Sequence, residues 1–526
     1  MTSPSLRTIP VRFRRRATGV VAGAIVLALA VSGCASFFTS QPASPAASST
    51  STPTGETVDA ALQSFYSQVV EWSDCGGGMQ CATVMAPLDW ADPAAGKVDL
   101  AVVRQPAKGG DRLGSLLVNP GGPGASGYDF VKDSVSFATS PELQAQYDIV
   151  GFDPRGVGRS SKVTCLDSAG MDSYIYDILP GTRGSAQWLS EYTASSKTFA
   201  DACGANSGDL LKHVDTVSAA RDMDLLRAVL GDTKLNYFGY SYGTFLGSTY
   251  ADLYPTHIGR MVLDGALDPT SSSFDVSIGQ AVGFENAMRA YMADCLTRSA
   301  CPFTGTVDEG MARISQLLAE VDATPIATAD GRQLGSSTMI TSIVYPLYDA
   351  TAWTYLSNMF AEVMAGKSDL AMQFADAYNG LQADGTYKDN STEAFMSINC
   401  LDYPVTTDAA TIAAQNTRLA AEAPVIGPYW TYGDIGCEVW PDQSTRTPHA
   451  VTAEGAPPIL VVGTTGDPAT PYKWAEALAS QLSTGQLITY VGQGHTAYGS
   501  SSCVKGIVDA YLLTGTSPTS DPRCTE

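Results

Sequence analysis

From about residue 60 the chain alternates short apolar runs with longer stretches of helical periodicity, the signature of a parallel sheet covered by helices. Six runs predict strands: LLVNPGG (116–122), YDIVGFD (147–153), LNYFGYS (235–241), GRMVLDG (259–265), PILVVGTTGD (458–467) and QLITYVGQGH (486–495). Each ends in a glycine-rich turn or a polar residue. In an open sheet of this kind the ligand site lies beyond the carboxyl ends of the strands, where these turns gather. Between 271 and 450 no such series of strands occurs, and helical patterns such as GQAVGFENAMRAYMADCLTR and GMARISQLLAEVD take its place. The expected architecture is therefore α/β. A mostly parallel central sheet is built from 58–270 and 451–526, and a helical cap, 271–450, is inserted ahead of the fifth run.

The first 57 residues follow a different pattern. VRFRRRATGVVAGAIVLALAVSGCAS joins an arginine cluster to about fifteen apolar or small residues and a small-residue site, which predicts a signal peptide over 1–33. The apolar run falls short of the roughly 20 residues of a membrane span. Val31-Ser32-Gly33-Cys34 resembles the bacterial lipobox, so Cys34 is the expected lipidation site, with plain secretion as the alternative. Residues 34–57, rich in Ser, Thr, Pro and Ala, carry too little apolar surface to fold alone and predict a flexible tether.

Charge narrows the partners. The formal net charge is −22, from 31 basic and 53 acidic side chains. Loss of the leader with Arg7, Arg12, Arg14, Arg15 and Arg16 leaves 26 basic side chains against 53 acidic ones, or −27. Such a surface repels phosphate backbones and anionic headgroups, which excludes nucleic acid as the expected partner and leaves a lipid anchor as the only expected membrane contact. Cys34 aside, ten cysteines remain, and in an exported chain they predict disulfides. Their order suggests local pairs: Cys75 with Cys81, Cys165 with Cys203, Cys295 with Cys301, Cys400 with Cys437, and Cys503 with Cys524. No C-x-x-C spacing and only four histidines argue against a metal site.

The chemistry centres on Gly239-Tyr240-Ser241-Tyr242-Gly243. G-x-S-x-G directly after an apolar strand and before a helical stretch is the context of a nucleophile elbow, with Ser241 as the nucleophile. Such a serine needs a base, an acid to orient it and donors for the oxyanion, and in the fold that uses this elbow the acid and then the histidine follow in chain order. Three histidines lie downstream. His257 precedes a strand and reads as solvated or capping, and His449 sits in a polar stretch without a glycine-rich loop. His495, in VGQGHTAYG, closes a strand and is the expected base. Asp467, in VVGTTGDPATPY, ends the preceding strand and is the expected acid, with Asp264 and Asp268 of LDGALDP as rivals. Taken alone, Asp467 also reads as an Asp-Pro turn that caps a helix. The expected oxyanion donors are the backbone N–H groups of Tyr242 and of Gly122 in NPGGPG, a segment without the spacing of a phosphate-binding loop.

NPGGPGASG, GFDPRGVGRS, TVSAARDMDLLRAVLG, GYSYGT, LDGALDP, GTTGDPATPY and GQGHTAY together resemble the α/β-hydrolase-fold tripeptidyl and prolyl aminopeptidases of actinobacteria, with their characteristic C-terminal segment, from about residue 85 to the end. Pro120 stands where many prolyl aminopeptidases have histidine, which favours the secreted tripeptidyl branch. The resemblance implies a serine exopeptidase, working without a cofactor, that removes short peptides from free N-termini through an acyl-enzyme. It also implies cap carboxylates that pair with the substrate ammonium, for which Glu285 and Asp402 are the candidates. Fold and triad alone leave an esterase or lipase open, and a surface-binding lipoprotein without activity is the alternative from another class.

Overall fold

The six apolar runs become neighbouring strands of one sheet in the computed structural model, which describes residues 49–526. The strands are β1 (Ser49–Thr50), β2 (Glu71–Asp74), β3 (Gln80–Pro87), β4 (Lys97–Gln105), β5 (Gly114–Asn119), β6 (Tyr147–Phe152), β7 (Leu235–Tyr240), β8 (Ile258–Asp264), β9 (Ile326–Ala327), β10 (Gln333–Leu334), β11 (Ile459–Gly466), β12 (Gly485–Gln493) and β13 (Arg523–Cys524). Eleven of them form a sheet in the order β1-β2-β3-β4-β6-β5-β7-β8-β11-β12-β13, and β9 and β10 form a separate hairpin. The signal peptide, Cys34 and the tether as far as residue 48 lie outside the described residues.

From β6 to β13 all pairings are parallel. Every residue of β5 and β6 is buried, because helices cover both faces, and that is why these strands read as unbroken apolar runs. The edge from β1 to β4 is antiparallel, as is its join to β6. Its strands are absent from the sequence reading for a physical reason. Lys97 and Asp99 of β4 face solvent, so the strand begins with alternation and lacks a continuous apolar run.

The tether is shorter than predicted. Ser49 and Thr50 pair with Trp72 and Glu71, the Thr54 N–H donates to the Ala228 carbonyl at 2.9 Å, and Glu56 meets Arg227 at 2.7 Å. Backbone pairing and one ion pair order this stretch without an apolar pattern, so composition could not reveal it.

Two of the quoted motifs meet in the core. Arg155 of GFDPRGVGRS reaches Asp222 of the helix Thr216–Val229 through Nε at 2.7 Å and a terminal nitrogen at 2.7 Å, with both side chains wholly buried. Removing either partner would strand a buried charge, at a cost of about 3–5 kcal/mol.

The helices Ser273–Cys295, Val307–Ala323, Ser336–Leu347, Trp353–Met364 and Asp369–Asn379 pack around an apolar centre of their own that includes Met288, Tyr291, Leu318, Ile343 and Phe360. Tyr176, from the helix Ser168–Tyr176, joins this centre, so a segment ahead of the nucleophile also contributes to it. In contrast, Ala394, Ile398 and Cys400 of the helix Ser391–Asp402 pack into the main core. The five cysteine pairs form as their order suggested. Among the described residues no helix is long and apolar enough to cross a membrane.

Candidate active site

β7, β8, β11 and β12 lie side by side and parallel, and at their carboxyl ends stand Ser241, Asp264, Asp467 and His495. Ser241 has φ 56° and ψ −125°, a left-handed conformation that an L-residue adopts only under constraint. The constraint comes from the strand before it and the helix Tyr242–Leu253 after it, packed so closely that a Cβ on Gly239 would strike the Gly243 carbonyl oxygen. The turn leaves Ser241 partly exposed while its neighbours are buried.

The histidine is oriented by Asp467. Its Nδ1 lies 2.8 and 2.9 Å from the two carboxylate oxygens, which also accept N–H groups of Ala469 (2.9 Å), Thr470 (2.8 Å) and Thr496 (3.1 Å). The same Asp467 therefore caps the following turn and holds the imidazole, so the two readings of this residue are both realised. Donation from Nδ1 to the carboxylate leaves Nε2 as the acceptor nitrogen. Nε2 is buried and has no hydrogen-bond partner, and is thus available to take a proton. Thr470 Oγ1 also lies 3.3 Å from Nδ1.

Asp264 is not the orienting acid. Its backbone oxygen accepts the Ser241 N–H at 2.9 Å, and its carboxylate accepts the N–H groups of Ala497 (2.9 and 3.0 Å to its two oxygens) and Tyr498 (2.8 Å). It ties the nucleophile turn to the loop that carries His495. Burial pushes its carboxyl up to about 6. Asp268 accepts from Thr270 and from Gln481 Nε2 and braces its own loop. The other histidines are occupied elsewhere: His257 Nδ1 meets Asp224 at 2.7 Å and His449 Nε2 meets Asp252 at 3.0 Å.

The loop after β5 approaches the elbow closely. A Cβ on Gly121, whose φ is +98°, would sit 2.6 Å from the Tyr240 oxygen, 2.9 Å from Ser241 Cβ and 3.0 Å from the Tyr242 nitrogen. The Gly121 N–H donates to Asn119 Oδ1 at 2.9 Å within the turn. Among the described residues no acceptor engages the N–H of Gly122 or of Tyr242, the first residue of its helix. The Tyr242 N–H thus stands unspent next to Ser241, and that of Gly122 unspent in the loop whose Gly121 touches the elbow.

The cap carboxylates have different fates. Glu285 is buried, and its Oε2 accepts the N–H groups of Val425 (3.1 Å) and Ile426 (3.0 Å) while Oε1 has no partner. Burial raises its carboxyl above the usual range. Asp402 does not present itself to an incoming amine. Its two oxygens accept the Thr216 N–H (2.9 Å) and hydroxyl (2.5 Å), and Thr216 Oγ1 in turn lies 2.5 Å from the Tyr242 hydroxyl. It holds the first N–H of the helix Thr216–Val229, whose cap is Asp215, and braces the side chain after Ser241, and burial pushes its carboxyl up to about 7.

Tyr348 is a site residue that the sequence did not single out. Its carbonyl accepts the His495 N–H at 2.8 Å, and its ring stands edge-on to the imidazole at 5.4 Å. It lies in the helical insertion, 147 positions from His495, and nothing in its surroundings marks it. Among the described residues no group of three or more His, Cys, Asp or Glu side chains is placed to hold a metal ion.

Comparison with known proteins shows the family. Residues 114–307 match the family described as alpha/beta hydrolase fold, and residues 423–524 match the family described as TAP-like protein. The chain is 36% identical over 484 residues to "Serine protease Hip1" of Mycobacterium tuberculosis, covering 87% of this chain and 91% of that one. It is 36% identical over 457 residues to "Carboxylesterase B" of the same organism, covering 85% and 86%. It is 30% identical over 469 residues to "Tripeptidyl aminopeptidase" of Streptomyces lividans, covering 86% of each.

Proposed function

This chain belongs to the α/β-hydrolase family with a TAP-like C-terminal segment, and from that premise we propose that it is an exported serine exopeptidase releasing short peptides, tripeptides above all, from free N-termini. The observation that carries the reading is the Asp467–His495 pair with its free Nε2, at the same sheet edge as the Ser241 elbow. Relatives named serine protease and tripeptidyl aminopeptidase, each matched along most of the chain, support the peptide bond as the target.

In this mechanism Ser241 Oγ attacks the scissile carbonyl while His495 Nε2 takes its proton. The Tyr242 and Gly122 N–H groups hold the oxyanion, and Asp467 stabilises the imidazolium. Collapse passes the proton from His495 to the departing amine and leaves an acyl-enzyme on Ser241. Water, activated by the same nitrogen, then releases the peptide. No group outside the chain is required.

Reading of the free N-terminus falls to Glu285. Its Oε1 is a buried carboxylate oxygen without a partner, and a substrate ammonium would satisfy it. Five disulfides support an extracellular site of action, and lipidation at Cys34 would hold the enzyme on the outer face of the membrane. The expected partners are peptides or proteins with free N-termini.

The test is cleavage of an Ala-Ala-Pro-type amide with its N-terminus free and acetylated. Acetylation should lower kcat/KM by roughly 10- to 100-fold, the worth of one charge-assisted hydrogen bond. Glu285→Gln should remove most of that difference. The relative named carboxylesterase favours a second reading, an esterase with the same triad. Turnover of p-nitrophenyl esters with no cleavage of either amide would establish it.

A further inference from the structure

A cavity of about 1210 Å³ lies between the stretch 166–199 and cap residues around 322–338 and 429–431, and none of the triad residues lines it. Its volume exceeds that of most small-molecule pockets. On its wall the Arg183 guanidinium carbon lies 4.8 Å from the centre of the Trp188 ring and 5.9 Å from that of Tyr429. One terminal nitrogen donates to Ser337 Oγ at 2.6 Å, and Nε is buried with no acceptor at all. In a chain with 53 acidic side chains, this guanidinium has no carboxylate within ion-pair distance among the described residues. A guanidinium on a cavity wall, fixed over aromatic rings and without a carboxylate partner, is the group that receives a carboxylate.

The other charges of the cavity narrow the ligand further. Asp177, Glu191 and Asp322 also line it; Asp322 is near enough to favour the Arg183 charge but forms no ion pair with it among the described residues, so negative charge is welcome at one point and repelled elsewhere. That excludes polyanions and selects a ligand with a single carboxylate on a largely uncharged body. Trp430, another wall of the cavity, packs on Phe284 at 5.8 Å. Phe284 packs on Tyr348 at 5.4 Å, and Tyr348 on His495 at 5.4 Å, so the cavity wall runs through three rings to the catalytic histidine.

We propose that this cavity is a second docking site for the peptide substrate, in which Arg183 binds a carboxylate carried by the peptide beyond the segment held at the triad. The inference takes its ligand class from the peptidase reading. Its test does not need turnover, so the two fail separately.

The experiment is calorimetric titration of the full chain carrying Ser241→Ala with one hexapeptide in three forms: free C-terminal carboxylate, C-terminal amide, and amide with an internal glutamate. At least one carboxylate form should bind about tenfold more tightly than the plain amide, and which one does so identifies the source of the carboxylate. Adding Arg183→Gln should abolish the advantage and leave the amide affinity unchanged. Equal affinity for all three forms in the Ser241→Ala chain overturns the proposal, as does a preference that survives Arg183→Gln. Displacement of the peptide by inorganic phosphate at equal concentration would give the cavity to a different anion and overturn it too. If Arg183→Gln melts well below its parent, Arg183→Lys replaces it. The comparison of acid and amide in the Ser241→Ala chain alone still decides, because it leaves Arg183 in place.

Discussion

The carboxyl edge of the sheet and the cap both bury carboxylates, and they dispose of them differently. At the edge, Asp467 accepts four donors and Asp264 two backbone N–H groups, and each lies at the end of a strand whose neighbours place it within reach of the nucleophile turn. In the segment inserted after β8, Asp402, on the helix that packs into the main core, spends both oxygens on Thr216, 186 positions away, and Glu285 holds the backbone of Val425 and Ile426 with one oxygen and leaves the other without a partner among the described residues. A strand end is a fixed address, because parallel pairing brings all such ends to one edge. A helix of the cap has no comparable address, so the role of its charges depends on which distant segment packs against it.

Breaking the sheet-edge half of this contrast should have the largest effect. Ser241→Ala removes the nucleophile and should lower kcat on any substrate by about 10⁶-fold while leaving the melting temperature near that of the parent. Asp467→Asn should cost about 10⁴-fold, through loss of the imidazole's orientation and charge partner, and its pH–rate profile should show whether any residual turnover still needs His495. Gly121→Ala should cost roughly 10²- to 10³-fold, since the new methyl would push against Tyr240 O and the Tyr242 nitrogen and spread the two oxyanion donors. Its KM should change much less than its kcat, and equal changes in the two would argue against an oxyanion role for this loop.

The cap half is sharpened by a stability measurement, with the smallest expected effect. The Asp402 carboxyl, ordinarily near 3.8, is pushed up to about 7 in the folded chain by burial, against the hydrogen bonds from Thr216. Between about pH 4 and pH 7 the folded chain therefore keeps a proton that the unfolded chain has released, and stability falls as pH rises through that window. Asp402→Asn should flatten part of the decline in denaturant titrations across these pH values. Glu393, raised to about 7, and Asp264, raised to about 6, are buried acids of the same kind and keep part of the slope in place. An unchanged slope in Asp402→Asn would mean that Asp402 is not a buried acid of this kind.

The parallel half of the sheet was legible because strands buried on both faces must be apolar throughout, and β5, β6, β7, β8, β11 and β12 all fall on runs read from the chain. The antiparallel edge was not, since β2 to β4 carry exposed or half-buried residues that break their apolar runs, and neither was the ordered stretch 49–57, held by Glu56 and backbone pairing. That Ser241, Asp467 and His495 stand at neighbouring strand ends was readable from their order, spacing and glycine-rich flanks. Tyr348 and the Asp402–Thr216–Tyr242 chain left no trace in sequence.

By itself, then, the sequence determined the α/β class, the strand ends at which Ser241, Asp467 and His495 stand, and the pairing of cysteines that lie close along the chain. These are local properties: periodicity, turn chemistry and short loops. Only the tertiary structure decided that Asp264 braces the site without orienting the histidine, that Asp402 supports a helix and leaves no oxygen free for a substrate, and that Arg183 stands unpaired in a large aromatic cavity. Each of those outcomes depends on which distant groups share a buried space, and burial sets both the cost of an unpaired charge and the partner that relieves it.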